Sequence, residues 1–287
     1  MLRNILIILA FSLALGITIL YQNDTHQTFT FAPIAKKQTN QPIFPTPSFV
    51  KIEKVTKIHV CQKRKKKKKR AITCIEGEYK VLASGFVVAG EKEGSYIMSA
   101  AHACHDEDEI KKVDLQEHIN LLGSKISIEA ISIDIYAYDI NNTKHKIEII
   151  DLFGAYDLCF LYSESLNTSP IFPSNTDASV GDKVYNLAAP AGFHFANVVP
   201  ILDGYCSGFI RGHSVVYTVP STGGSSGSPI LNKNGEYVGM AVATIDAFKQ
   251  ITISPKRKNI TKFISYILQN KTCGELHHIS PHFDNYL

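Results

Sequence analysis

Short apolar runs separated by turn residues make up most of the chain from Val50 onwards, and they predict β-strands. The segment ISIEAISIDIYAYDI alternates isoleucine with polar residues, which is typical of a strand with one solvated face. VLASGFVVAG and SYIMSAAH flank EKEG and predict a hairpin. The other predicted strands are KVTKIHVC, AITCIEGEY, KHKIEIIDLF, YDLCFLYS, KVYNLAAPAG, VVPILDGYCSGFI, SVVYTVP, YVGMAVATI and QITISP.

The last regular pattern in the sequence is helical. Ile260, Phe263, Ile264 and Ile267 recur at helical spacing after Pro255, which suits the start of a helix. The strands before it fall into two groups of about six, over about residues 50–165 and 178–255. The pattern therefore predicts an all-β fold of two six-stranded antiparallel β-barrels with a C-terminal helix.

The N-terminus predicts a separate apolar helix. Arg3 precedes an unbroken apolar run from Ile5 to Tyr21, and a membrane-spanning helix needs about 17–20 residues. Because no A-x-A cleavage site follows the run, a membrane anchor over residues 1–22 is favoured over a cleavable signal peptide. Either alternative predicts an exported domain, anchored or secreted.

The rest of the chain divides by composition. Residues 23–49 are rich in proline and threonine, which predicts a linker. Residues 50–270 hold the predicted folded domain, and residues 271–287 form a C-terminal tail.

The net charge of +4 comes from one short segment. Lys63–Arg70, KRKKKKKR, carries eight of the 30 basic residues, so the remaining 22 are outnumbered by 26 acidic residues. We therefore expect no specific binding of nucleic acid. The segment is interpreted first as a solvated hairpin tip. The alternative is contact with an anionic surface, worth about 1 kcal/mol per Lys or Arg at a charged membrane.

Six cysteines are plausible disulfide partners in an exported domain. Six cysteines allow 15 pairings, and the sequence does not choose among them. Cys61 and Cys74 bracket the lysine run and form the best local candidate. The six are Cys61, Cys74, Cys104, Cys159, Cys206 and Cys273.

The segment GGSSGSP predicts a reactive serine. Gly224 and Gly227 flank Ser226 closely enough for a sharp turn that aims main-chain N–H groups at a substrate carbonyl. Pro229 then leads into the apolar run ILNKNGEYVGM, whereas a flexible linker, the alternative, would continue with polar residues.

A second segment supplies a histidine as partner for the serine. His102 follows the small residues of YIMSAAH, which leave room for an imidazole in a crowded site. A metal site over His102, Cys104, His105 and Asp106 is the alternative, but the spacing lacks paired ligand motifs, so no metal is expected.

Asp157 heads the apolar run YDLCFLY, where a buried carboxylate needs a partner such as an imidazole. Asp134, Asp139 and Asp151 compete with it for that role.

The segments ASGFVV, YIMSAAHA, YDLCFLY, VYNLAAPAG and GGSSGSPILNKNGEYVGM resemble the chymotrypsin/trypsin-like serine protease family, and most closely its HtrA-like and glutamyl-endopeptidase-like branches. The resemblance implies Ser226 as nucleophile, His102 as general base and then acid, and Asp157 as the carboxylate that orients His102. The N–H groups of Gly224 and Ser226 would form the oxyanion hole. The implied reaction is hydrolysis of protein or peptide substrates through an acyl-enzyme, without a cofactor.

The sequence departs from the family in three places. Cys104 lies two residues after His102 where bridged members have an adjacent cysteine, so their disulfide does not transfer. Ser225 beside Ser226 raises the question of which serine reacts. Pro220 replaces the aspartate of the trypsin branch, so a preference for Lys or Arg is not supported. If MAVATI (Met240–Ile245) lines the pocket, as the resemblance implies, a small or apolar substrate side chain is expected. A catalytically inactive binding scaffold with the polybasic loop as contact surface is the alternative function.

Overall fold

A computed structural model describes residues 41–66, 69–91, 93–104, 126–210 and 214–272. Its strands form two antiparallel sheets of seven strands each. The predicted anchor at residues 1–22 lies outside the described residues. Among the helices that are described, none is both long and apolar enough to cross a membrane.

The first sheet has the strand order β5-β4-β1-β2-β3-β7-β6. The predicted hairpin across EKEG is confirmed, because Phe86 pairs with Met98 and Gly90 with Ser95. A short helix, α1 (Ala101–Cys104), follows β3. The strands are β1 (Phe49–Lys66), β2 (Lys69–Gly90), β3 (Ser95–Ala100), β4 (Ile126–Tyr138), β5 (Lys144–Lys146), β6 (Glu148–Phe153) and β7 (Leu158–Ser163).

The second sheet has the order β12-β11-β8-β9-β10-β14-β13. The predicted C-terminal helix, α2 (Arg257–Thr272), follows its last strand. Short 3₁₀ turns occur at Thr46–Ser48, Gly154–Tyr156 and Pro190–Gly192. The strands are β8 (Lys183–Leu187), β9 (Ile201–Ile210), β10 (Ser214–Tyr217), β11 (Pro229–Leu231), β12 (Tyr237–Met240), β13 (Ala243–Ile245) and β14 (Phe248–Pro255).

The all-β class with a C-terminal helix is confirmed, but the predicted count of six strands per barrel is wrong. KHKIEIIDLF was predicted as one strand, yet it breaks at Ile147 into β5 and β6, which form opposite edges of the first sheet. YVGMAVATI likewise breaks into β12 and β13 at opposite edges of the second sheet. Because the two edges of each sheet are joined by one or two residues, each sheet curls back on itself into a half-barrel.

The largest apolar cluster holds the two sheets and the helix together. It combines Phe86 and Phe160 of the first sheet with Leu231 and Met240 of the second. The helix contributes the four residues whose spacing predicted it, and all four are buried: Ile260, Phe263, Ile264 and Ile267. Removing these apolar side chains from water stabilises the arrangement by roughly 1.5–3 kcal/mol each.

Two disulfides fix strands of the first sheet. The predicted pair Cys61–Cys74 is confirmed, and its two residues face each other in the β1–β2 register. Cys104–Cys159 closes a sequence separation of 55 residues, which corresponds to about 4 kcal/mol of chain-entropy stabilisation. Cys206 is a buried free thiol, and Cys273 lies outside the described residues.

The described part of the lysine run lies at the adjoining ends of β1 and β2, where the sequence predicts a hairpin tip. The two strands pair as far as Lys66 and Lys69. Lys67, Lys68 and the side chains of the other residues in Lys63–Arg70 lie outside the described part of the structure.

Candidate active site

The pairing of β3 with β7 brings His102 and Asp157 together. Ala100, the last residue of β3, lies opposite Leu158, the first residue of β7, so the residues just beyond them meet at one end of the sheet. The Ala101 N–H donates to the Asp157 carbonyl oxygen at 3.1 Å. Strand register therefore positions the His–Asp pair.

Both carboxylate oxygens of Asp157 bind His102. Oδ1 accepts from the backbone N–H of His102 at 2.8 Å, and Oδ2 lies 2.6 Å from Nδ1 of the imidazole. A carboxylate accepts hydrogen bonds, so Nδ1 carries the proton and Nε2 keeps its lone pair. The imidazole is about half exposed, which leaves Nε2 accessible to a reacting group.

The competing carboxylates have other partners. Asp151 accepts from the N–H of Leu152 at 2.7 Å, and burial raises its pKa. Asp139 is partly buried, which opposes ionisation, but hydrogen bonds from the Thr143 N–H and from His145 lower its pKa overall. Asp134 lies within β4 opposite Val55. Among the described aspartates, Asp157 alone binds His102.

Only one serine of GGSSGSP is accessible. Ser225 and Ser228 are fully buried, whereas Ser226 is partly exposed. The Ser225 Oγ accepts from the Thr222 N–H at 3.3 Å, and the Ser228 Oγ accepts from the Asn186 side chain at 2.7 Å. The structure therefore distinguishes Ser226 from its neighbours by exposure.

Gly227 brings the serine loop, defined as Gly223–Pro229, against the residues before His102. Its φ of 86° is left-handed, and a Cβ at this position would collide with Ser84 O and with Ser99 Oγ and would lie 2.9 Å from Ala100 N. A side chain here would push the loop away from β3. The small residues before His102 were predicted to leave room for its imidazole. In the structure they accommodate the backbone that follows Ser226.

The structure brings the serine loop and the His–Asp pair to one location. In the described part of the chain, no hydrogen bond joins Ser226 to His102. Hydrogen bonds between catalytic groups are often long before a substrate binds.

The predicted oxyanion donors, Gly224 and Ser226, lie in a turn whose carbonyl groups from Gly223 to Ser226 all accept hydrogen bonds. Gly224 has a φ of 91°, and a Cβ there would collide with the Ala189 carbonyl oxygen. Within the described residues, the backbone N–H groups of Gly224 and Ser226 make no hydrogen bond to the protein. Both N–H groups are therefore available to an external acceptor.

Residues 83–240 match the family described as "Trypsin-like peptidase domain". The chain belongs to this family. The match covers more than half of the sequence and includes the segments of His102, Asp157 and Ser226. The resemblance that the motifs predicted is thereby confirmed.

Solved structures of serine endoproteases have a similar fold. The serine endoprotease from Yersinia pestis matches with a TM-score of 0.52 and 15% identity, over 79% of this chain and 65% of that one. This chain thus spans less than two thirds of that protein's length. The inactive form of a serine-to-alanine mutant of Rv3671c from M. tuberculosis matches with a TM-score of 0.50 and 14% identity, over 79% and 89%. At this identity the likeness concerns the fold alone. A search of curated proteins finds no match.

Two features of this peptidase site were not predicted from the sequence. The Cys104–Cys159 disulfide joins positions two residues after His102 and two residues after Asp157, so it ties together the segments that carry the pair. The role of Ser84 was not predicted either. A polar residue in the otherwise apolar run VLASGFVVAG signals a side chain with a partner, but it does not identify that partner.

His194 is buried near the junction of the peptidase domain's two sheets without a hydrogen-bond partner in the described residues. Its side chain is 4% exposed, neither ring nitrogen is bonded, and its ring centroid lies 5.9 Å from that of Phe49. Burial and the nearby positive charge of Lys51 lower the pKa of His194, and Asp139 opposes them in part. The folded protein therefore favours the neutral imidazole.

We expect His194 to make the peptidase domain less stable in acid. Above pH 6.5, the ordinary pKa of histidine, His194 is neutral in both the folded and the unfolded protein, so its contribution to stability is complete. As pH falls below 6.5, the unfolded chain takes up a proton that the folded protein resists, so stability is lost down to the depressed pKa. Denaturant unfolding at several pH values between 8 and 5 measures this loss.

The variant His194→Phe provides the comparison. It keeps a buried ring and removes the titration, so its free energy of unfolding should fall less steeply than that of the wild type below pH 6.5. Carboxylates titrate equally in both proteins and cancel in the difference. Parallel pH profiles would show that His194 has no part in the acid sensitivity.

Proposed function

We propose that this chain is a serine endopeptidase that hydrolyses peptide bonds through an acyl-enzyme. Ser226 is the nucleophile, His102 the general base and acid, and Asp157 the carboxylate that orients His102. The observation that carries the proposal is the double contact of Asp157 with His102, at 2.8 and 2.6 Å, beside the loop whose one accessible serine is Ser226.

In the first half-reaction, the Oγ of Ser226 forms a bond to the carbonyl carbon of the substrate while its proton moves to Nε2 of His102. The electron pair of the carbonyl π-bond moves to the oxygen, and the N–H groups of Gly224 and Ser226 stabilise that negative charge. Asp157 stabilises the imidazolium. Collapse of the intermediate breaks the C–N bond, and the leaving amine takes the proton from Nε2.

In the second half-reaction, water replaces the amine. His102 accepts a proton from the water as its oxygen attacks the ester carbonyl, and it returns that proton to the Ser226 Oγ as the ester C–O bond breaks. The products are a carboxylic acid and an amine. The enzyme is restored without a cofactor.

The substrate is proposed to bind as an extended strand along β13. This strand is an edge of the second sheet and pairs with β14 alone, so its other side has free backbone groups that an extended peptide can use. The segment Met240–Ile245 carries no charged side chain, and Pro220 supplies no negative charge for a basic substrate residue. We therefore propose a small or apolar residue before the cleaved bond.

A binding scaffold with a polybasic contact loop is the second candidate function. The observation that favours it is the β1–β2 hairpin, which is closed by Cys61–Cys74 and ends in Lys63–Arg70. For either function we also propose export, a membrane anchor at residues 1–22, and contact of Lys63–Arg70 with an anionic surface. These three proposals stay predictions.

Cleavage of labelled casein and of a peptide library by the full chain separates these candidates. A serine endopeptidase cleaves both, is stopped by a fluorophosphonate and keeps its activity in EDTA. Absence of cleavage would favour the binding scaffold. Loss of cleavage in EDTA would favour a metal site, although Cys104 is engaged in a disulfide and could not serve as a ligand.

A further inference from the structure

Ser84 makes two hydrogen bonds from the first sheet to the serine loop and a third to Ala189. It lies in β2 and is fully buried. Its hydroxyl donates to the Gly224 carbonyl oxygen at 2.7 Å and accepts from the Ala189 N–H at 3.0 Å. Its own N–H donates to the Ser226 carbonyl oxygen at 2.8 Å. One residue of the first sheet therefore holds both residues whose N–H groups are proposed to bind the oxyanion.

The carbonyl groups of this loop determine where its N–H groups point. In a planar trans peptide, the C=O and the N–H point in opposite directions. The Gly223 carbonyl oxygen accepts from the Ala191 N–H at 2.6 Å, which directs the Gly224 N–H away from Ala191. Ser84 binds the next carbonyl, that of Gly224. The loop is thus held at consecutive peptide groups.

The loop requires this support because its own residues give it little rigidity. Gly223 is exposed, and a Cβ there would meet nothing within 4 Å, so its local contacts do not restrict rotation of the adjoining peptide. If the Gly224 carbonyl loses its donor, rotation of a glycine peptide lets it find another partner. The Gly224 carbonyl shares its peptide with the Ser225 N–H, and this peptide adjoins the two that carry the Gly224 and Ser226 N–H groups. Its rotation therefore displaces both of those N–H groups.

We infer that Ser84 is a positioning residue that keeps the Gly224 and Ser226 N–H groups aimed at the oxyanion; this inference rests on the proposed function. Ser84 is fully buried, so it does not touch the substrate. Its hydroxyl is already engaged as donor and as acceptor, which leaves it no role as a nucleophile. Ser84 acts through the loop.

The variant Ser84→Ala tests the inference in the full chain. We expect kcat on the best-cleaved library peptide to fall roughly 10- to 100-fold, approaching the loss caused by removal of an oxyanion donor, while KM changes less than about threefold. Binding of a boronic acid analogue of that peptide, which places a negative oxygen in the hole, should weaken by a similar factor. The pH profile of kcat should not move, because His102 and Asp157 are untouched.

Ser254→Ala is the matched control. Ser254 is also a fully buried serine whose hydroxyl accepts from a backbone N–H, that of Met240 at 2.8 Å, and donates to a backbone carbonyl, that of Pro255 at 2.7 Å. None of these bonds reaches residues 222–228. If both variants lose similar thermal stability but only Ser84→Ala loses kcat, the loss of kcat comes from the displaced serine loop.

The variant Ser84→Cys tests the inference even if the alanine variant does not fold. A thiol keeps the side chain but forms weaker hydrogen bonds, so its kcat should lie between those of Ser84→Ala and the wild type. Equal losses of kcat in Ser84→Ala and Ser254→Ala, or an unchanged kcat in Ser84→Ala and Ser84→Cys, would overturn the inference. Failure of the proposed function is distinct from this result, because it would appear as a wild-type protein that cleaves nothing.

Discussion

Replacing Ser226 with alanine should lower the rate of peptide hydrolysis by about 10⁶-fold, since removal of the nucleophile eliminates the acyl-enzyme route. The fold should be unaffected, because the hydroxyl of Ser226 makes no hydrogen bond within the described residues. Initial rates on one labelled peptide, together with the thermal midpoint of each protein, measure both expectations.

The neighbouring serines are the controls for this prediction. Ser225 and Ser228 are buried and bonded to Thr222 and Asn186, so their replacement removes internal hydrogen bonds and leaves the nucleophile in place. Ser225→Ala and Ser228→Ala should therefore lose far less of the wild-type rate than Ser226→Ala. A Ser226→Ala protein that hydrolyses as fast as these controls would rule out Ser226 as nucleophile.

Replacing Asp157 with asparagine should lower kcat by about 10⁴-fold. An asparagine can turn its NH₂ group towards Nδ1, and His102 would then carry its proton on Nε2, where it no longer accepts the proton of Ser226. The geometry of the site would be preserved, so KM should change little. Steady-state kinetics on the same peptide separate the two constants.

Asp151→Asn is the matched control. Asp151 is the competitor nearest in sequence, and its carboxylate binds the N–H of Leu152. Burial raises the pKa of Asp151, so the fold opposes its negative charge, and replacement by a neutral amide of similar shape should be tolerated. Equal losses of kcat in Asp151→Asn and Asp157→Asn would contradict the assignment of Asp157.

Local patterns were sufficient to predict the C-terminal helix and the hairpin across EKEG. Hydrophobic spacing located α2 through Ile260, Phe263, Ile264 and Ile267, and turn residues located the β2–β3 hairpin. The number of strands per sheet was predicted wrongly because barrel closure is not local. Whether one apolar run bends at Ile147 and serves both edges depends on strands far away in the sequence.

The choice among aspartates and cysteines also depended on long-range pairing. Asp151 and Asp157 lie six residues apart, and the register of β3 against β7 places only Asp157 beside His102. The same register brings Cys104 to Cys159, a pair that no sequence spacing indicated. By contrast, Cys61 and Cys74 flank one hairpin tip, and their pairing could be predicted.

The role inferred for Ser84 could not be predicted from the strand pattern. In VLASGFVVAG it occupies an ordinary strand position, and its partners Ala189 and Gly224 are 105 and 140 residues away in sequence. Only the contact between the two sheets shows that its hydroxyl binds the serine loop. The first sheet supports the serine loop only through tertiary contacts, which a local sequence pattern does not contain.

Mapping the adduct of a fluorophosphonate on the full wild-type chain tests the central claim most directly. The reagent phosphonylates a serine that is activated by a base and flanked by oxyanion donors, and mass spectrometry of the digested protein identifies the modified residue. We expect a single adduct on Ser226 that is lost in His102→Ala. Failure to form an adduct, or modification of a different serine, would contradict the proposed catalytic site.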